Sequence, residues 1–140
     1  MDTAARCLAE VEDLHRCFED WFRGKPGADL SHCEAVLVDD FQIVSPGGVR
    51  RARPELMAAL VTALGAHASG EFAIEVRDVT LRPASPDVHV VSYEEWHRVD
   101  GVAMGRMSTA VLRDAAGLPN GLEWLGVHET WCESCQQSAP

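Results

Sequence analysis

No stretch of this 140-residue chain approaches the ~20 consecutive apolar residues of a membrane-spanning helix. Basic residues are scarce: 12 Lys and Arg against 22 Asp and Glu leave a formal net charge of −10. A field of that sign repels phosphate backbones and anionic lipid, which sets aside nucleic acid and membrane surfaces as partners. Met1 to Arg6 carries neither the basic stretch nor the apolar block of a secretory leader, so the expected compartment is the cytoplasm. Five cysteines, an odd number, fit reduced thiols better than a disulfide framework. Cys132 and Cys135 form a lone C-x-x-C with no second pair, whereas structural zinc needs four ligands, and the βαβ context of a redox motif is missing. There is no internal repeat and no glycine loop to cradle phosphates; Gly47-Gly48 reads as a turn. Neither a metal nor a cofactor is expected.

What remains is an ordinary globular composition, 46% apolar, in a chain long enough for one domain with a real core. Val11, Leu14, Phe18, Trp21 and Phe22 follow Leu8 at steps that make one helical stripe, stopped by Gly24. Ser31 with Glu34 has the spacing of a capping box and opens a short second helix, which Asp39 and Asp40 cap or terminate. Phe41 to Val44 is a short apolar stretch before the breaker Ser45-Pro46-Gly47-Gly48. Pro54 opens a third helix whose buried face is read as Leu56, Met57, Leu60, Val61 and Leu64.

After Gly70 the period becomes two. Phe72, Ile74 and Val76 alternate with polar neighbours, and the parity slips at Arg77-Asp78, which predicts a β-bulge and a bent sheet. Val88 to Val99 and Val102 to Asp114 flank Asp100-Gly101, a two-residue hairpin turn. Leu122 to Trp131 is the last strand. The expected fold is therefore α+β, a single domain over residues 1–131 with three N-terminal helices packed on a strongly curved antiparallel sheet. Residues 132–140 are expected to form a frayed tail.

The hairpin turn sets a register in which Glu95 faces Arg106, Tyr93 faces Ser108 and Val91 faces Ala110. Thus Tyr93, Glu95 and His97 share one sheet face with Arg106 and Ser108. His128 has the opposite parity to His97, so the two do not serve one site, and His15 shows no usable partner spacing.

The order of these elements resembles the nuclear transport factor 2-like superfamily, with its ketosteroid isomerases, SnoaL-like cyclases and calmodulin-dependent kinase association domains. The resemblance is carried by Asp39-Asp40-Phe41 running into Ser45-Pro46-Gly47-Gly48, and by Tyr93-Glu94-Glu95-Trp96. Arg106 ahead of Ser108-Thr109-Ala110, and the closing run from Trp124 to Trp131, carry the rest. Uncharacterised bacterial members are the most alike. The resemblance implies a cone-shaped fold with a pocket between the helices and the concave sheet face. By comparison with the association domains it also implies Arg106 beside Glu129 and Ser108 beside Val127. That register puts Leu125, Val127, Glu129 and Trp131 on the concave face. Trp96, Thr109, Val111 and Trp124 then lie outside, where they would form a homodimer interface through the sheet.

The candidate ligand-binding residues are Tyr93, Glu95, Arg106, Ser108 and Glu129, with Trp21, Phe22 and Phe41 as apolar walls. Glu95, Arg106 and Glu129 in one row are either a ligand-orienting guanidinium clamp or a structural cross-strand ion-pair ladder. Tyr93 and Ser108 are either hydroxyl donors to a ligand carbonyl or a buried tyrosine with its partner. No catalytic residue is assigned. The position before Pro46, where a ketosteroid isomerase has its aspartate base, is Ser45. The expected function is a homodimeric small-molecule-binding domain. The alternative is a SnoaL-like isomerase, cyclase, dehydratase or hydrolase acting on a small organic substrate. A purely oligomeric module is a third reading.

Overall fold

The computed structural model describes the backbone of residues 1–138 and side chains through residue 133. Helix α1 (Thr3–Arg23) starts where the Asp2 carboxylate accepts from the Ala5 amide at 2.7 Å. It stops at Gly24, which adopts φ 66°. That residue lies backbone to backbone against Gly65, since an added Cβ would sit 3.2 Å from the Gly65 Cα. Two bonds, Gly65 N–H to the Trp21 carbonyl and His67 N–H to the Phe22 carbonyl, then fasten the end of α1 to the turn that follows α3. The apolar stripe of α1 buries Cys7, Val11 and Leu14.

Helix α2 (Ser31–Val36) is capped differently from the sequence reading. Leu30 is its N-cap, and Ser31 instead donates to the carboxylate of Asp29, so no capping box forms. Strand β1 (Leu37–Val44) follows at once and begins earlier than expected. Asp39 and Asp40 are exposed members of that strand and neither cap nor terminate α2. After β2 (Arg50–Ala52), α3 (Arg53–Thr62) carries Pro54 in its first turn, where a missing amide costs nothing. Its buried face is narrower than predicted: Leu60 is buried and Leu56 and Met57 partly so, while Val61 and Leu64 are exposed.

Strands β3 (Phe72–Pro83), β4 (Val88–Val99), β5 (Val102–Asp114) and β6 (Leu122–Ser138) complete one six-stranded sheet in the order β2-β1-β6-β5-β4-β3. The class is α+β, as expected, but the sheet is mixed: β1 and β6 run parallel. Asp100 and Gly101 have φ of 48° and 85°, the hairpin turn that pairs Val99 with Val102 and Glu95 with Arg106. The predicted bulge sits at Asp78 (φ 56°), between Arg77 and Thr80.

Two readings of the last strand fail. Strand β6 continues to Ser138, pairing with Val102, so residues 132–138 are strand rather than frayed tail; the Cys135 side chain lies outside the described residues. In addition, Arg106 pairs with Trp131, Ser108 with Glu129 and Ala110 with Val127, two residues away from the implied register. An even offset keeps each of these residues on its face. At Leu125, however, an extra residue is accommodated, because Val111 pairs with Gly126 and Leu112 with Trp124. That bulge reverses the parity at the start of β6 and turns Trp124 inward, where it is fully buried in the core.

The proposed outer apolar face is reduced accordingly. Trp124 has left it, and Trp96 is buried, its indole donating to Glu94 at 2.9 Å under the Arg77 guanidinium. Trp96 lies flat on Gly105, where a Cβ would come within 2.4 Å of the ring. Gly105→Ala is therefore expected to destabilise the fold by about 1–3 kcal/mol through overpacking. Thermal unfolding checks this, and an unchanged midpoint would mean that the ring lifts without cost.

Candidate functional site

A cavity of about 310 Å³ opens between the helices and the concave sheet face. Its walls are mostly apolar: Leu14 and Phe18 from α1, Phe41 and Ile43 from β1, Leu56 and Leu60 from α3. Strand alternation aims Tyr93, Glu95 and His97 of β4 at its far end, with Arg106 of β5 and Glu129 of β6 beside them.

Glu95 is the centre of this polar end, 7% exposed. Its Oε1 lies 2.8 Å from His15 Nε2, and its Oε2 accepts from His97 Nε2. The other His15 nitrogen, Nδ1, is 2.7 Å from the Val11 carbonyl, which only accepts. Both ring nitrogens of His15 thus face acceptors, the pattern of an imidazolium paired with a carboxylate. Burial alone would lower the His15 pKa, but the charge and hydrogen bond of Glu95, the Val11 carbonyl and the charge of Glu129 outweigh it, and the result is raised. Burial likewise pushes Glu95 up, yet His15 and His97 hold it well below the usual carboxylate range. His97 donates through Nε2, so in its neutral form Nδ1 is left bare as a base; no described residue bonds that atom.

Glu129, 6% exposed, accepts from Ser108 Oγ at 3.2 Å through Oε2. Its Oε1 stands 3.5 Å from Arg106 Nη1, an ion pair too long for a good hydrogen bond. Burial, then the charge of Glu95, raise the Glu129 carboxyl against the opposing pull of Arg106, Ser108 and His15. Arg106 also stacks over Trp131, 5.2 Å from its ring centre, and its buried Nε has no partner among the described residues. Burial and the same two carboxylates raise the Tyr93 phenol well above its usual value, against the hydrogen bond to Ser108 and the charge of Arg106.

Most of the candidate residues therefore come together, in a different arrangement. Glu95 does face Arg106 in register, but its carboxylate is taken by two histidines, so the predicted three-residue ladder does not form. Arg106 turns instead to Glu129, diagonally across the strands. Phe22 and Phe41 line the cavity, and Ser108 stands behind it, supporting Glu129. Trp21 is not a wall: its indole donates to the Leu60 carbonyl at 2.6 Å and ties α1 to α3. His15 is the cavity-lining residue missed. It sits within the apolar stripe between Leu14 and Phe18, a polar group on a buried helix face, and such a group requires a partner. His128 is exposed on the outer face.

A third buried carboxylate supports the cavity wall. Glu10, fully buried, accepts from Trp124 Nε1 at 2.9 Å, His32 Nε2 at 2.8 Å and Asn120 Nδ2 at 3.0 Å. It joins α1 to α2, to the loop before β6 and to the indole that lines the cavity.

Among known proteins, the model of the sucrose-6-phosphate phosphohydrolase C-terminal family matches residues 10–133. Two tobacco (Nicotiana tabacum) proteins, sucrose-phosphatase 1 and 2, are 27% and 28% identical over 92% of this chain, which spans 31% of the length of each. Among solved structures, an NTF-2 like protein of unknown function from Pseudomonas aeruginosa superposes with a TM-score of 0.81 at 26% identity, covering 91% of this chain and 98% of that one. An NTF2-like protein from Cytophaga hutchinsonii (TM-score 0.72, 15% identity, 94% and 100% coverage) shares the fold. So does a CaMKII hub from S. rosetta (0.66, 13%, 94% and 98%). The fold is nuclear transport factor 2-like.

Proposed function

This chain belongs to the sucrose-6-phosphate phosphohydrolase C-terminal family, and we propose that it acts as a small-molecule-binding domain of the nuclear transport factor 2-like fold. The observation that carries this reading is the cavity itself. At about 310 Å³ it has the size and the mixture of apolar wall and few convergent polar groups that small-ligand sites have. The occupant is a compact organic molecule with an apolar body and one polar end directed at Glu95, Arg106 and Glu129.

The names of the tobacco relatives make a sugar phosphate the first ligand to test against this reading. The physics opposes it. Each sugar hydroxyl placed unpaired against the apolar walls costs about 1–3 kcal/mol, which disfavours a polyhydroxylated ligand. This reading therefore does not take sucrose phosphate as the ligand of this cavity.

The test is native mass spectrometry of the purified chain, followed by thermal-shift titration with aromatic probes and with sucrose 6-phosphate. Apolar probes are expected to raise the unfolding midpoint and the sugar phosphate to leave it unchanged. Arg106→Lys keeps the charge but loses the planar guanidinium, so binding of an aromatic probe that carries a polar group should weaken about tenfold or more while the fold is retained. Midpoints that respond to no probe, or respond equally in the variant, count against the assignment.

A second reading, proton-transfer catalysis by an isomerase, cyclase, dehydratase or hydrolase, is favoured by one feature: the cavity is lined both by His97, oriented by Glu95, and by a carboxyl of raised pKa, Glu129. Association of two copies through the outer sheet face also stays a proposal, supported by the exposure of Met107 there, with sedimentation at micromolar concentration as its test.

A further inference from the structure

The polar end of the cavity has one contact that the protein leaves incomplete. Glu95 has both oxygens engaged, and His15 both nitrogens. Glu129 is different. Ser108 occupies Oε2, whereas Oε1 receives no hydrogen bond from any described residue and faces Arg106 Nη1 across 3.5 Å. An acceptor and a donor thus stand side by side, both on side chains that line the cavity, each without a good partner. Oε1 is open to the cavity, and it gains a charge-assisted hydrogen bond from any group that enters and donates to it.

The identity of that group follows from the pair. An ammonium only donates, so it would satisfy Glu129 and be repelled by Arg106. A ketone or ether oxygen only accepts, so it would satisfy Arg106 and leave the carboxylate bare. A hydroxyl does both at once. Its oxygen fits at ordinary hydrogen-bond distance, about 2.8–2.9 Å, from each of two atoms 3.5 Å apart.

We propose that the Arg106–Glu129 gap is a hydroxyl-recognition point, and that the ligand of this cavity is an apolar alcohol whose oxygen accepts from Arg106 and donates to Glu129. This rests on the binding reading above and narrows it to a ligand class. The rest of the ligand is mainly hydrocarbon, because most of the remaining wall is apolar, Phe18, Phe41 and Leu56 included, with Ser45 and Arg51 as the polar exceptions.

The test uses three probes of one shape, naphthalene, 2-methoxynaphthalene and 2-naphthol, titrated calorimetrically into the full chain in mildly alkaline buffer. For wild type, 2-naphthol is expected to bind about tenfold or more tighter than its methyl ether, the worth of one hydrogen bond to a charged group. In Glu129→Leu that ratio should fall to about one while the ether still binds, since a charge-assisted bond has been removed and the walls are intact. Glu129→Gln, which keeps an acceptor oxygen and nearly the same shape, should retain part of the ratio and serves if the leucine variant fails to fold. Equal binding of alcohol and ether to wild type, or an unchanged ratio in both variants, overturns the hydroxyl assignment and leaves the binding reading standing. Binding of none of the three overturns both.

Discussion

Glu95→Ala is expected to destabilise the domain by about 3–5 kcal/mol, because it strands a buried imidazolium without its counter-charge. His15 is held between two acceptors and is 5% exposed, so bulk solvent does little to replace the lost carboxylate. Equilibrium urea unfolding measures the effect. A loss within about 0.5 kcal/mol, the range of an ordinary surface substitution, would show that the pair is not an ion pair in solution. Replacing both partners by leucine should recover much of the loss, since buried pairs exchanged for packed apolar groups are often neutral.

The same pair sets the pH dependence. The depressed Glu95 pKa gives stability that is complete above its ordinary value of 4.5 and is lost as pH falls through the folded-state value. The raised His15 pKa gives stability that is complete below 6.5 and is lost as pH rises through its folded-state value. The Glu129 pKa is also raised, and for a carboxyl this means that stability declines as pH climbs from 4.5. Maximum stability is therefore expected on the mildly acidic side, between 4.5 and 6.5. Glu129→Gln should flatten the part of the decline that begins at pH 4.5. An optimum in wild type on the alkaline side would contradict these assignments.

Glu10→Ala is the second large effect, again about 3–5 kcal/mol, for a different reason. Three donors, from Trp124, His32 and Asn120, converge on one fully buried carboxylate. Truncation leaves an indole N–H in the core without a partner and opens a void beside it. Trp124 is also a cavity wall, so the variant should lose probe affinity along with stability, measurable by the same titrations. Glu10→Gln keeps an acceptor oxygen but turns an amide donor toward other donors, so a smaller loss is expected. A stable alanine variant with normal probe binding would mean that the three donors find other acceptors.

Some of this was written locally in the chain. The Asp100-Gly101 turn demands positive φ at two adjacent positions, and a turn of two residues leaves the flanking strands one register. Glu95 was therefore placed opposite Arg106 from sequence alone. The slip of parity at Arg77-Asp78 marked its bulge for the same reason, since side-chain alternation counts residues directly. The α1 stripe and its stop at Gly24 were equally plain. What failed depended on contacts between distant segments. Strand β6 is joined to β5 by a longer loop, which does not fix a register, and the bulge at Leu125 offered no comparable signal. A single extra residue turned Trp124 from the outer face to the core. The site followed the same division. Strand alternation put Tyr93, Glu95 and His97 on one face, and the fold resemblance implied that this face is concave. The residue that Glu95 pairs with was decided only when α1 packed on the sheet. His15, eighty residues away in sequence, then reached the carboxylate ahead of Arg106, because a buried imidazole in an apolar stripe had no other acceptor for its second nitrogen.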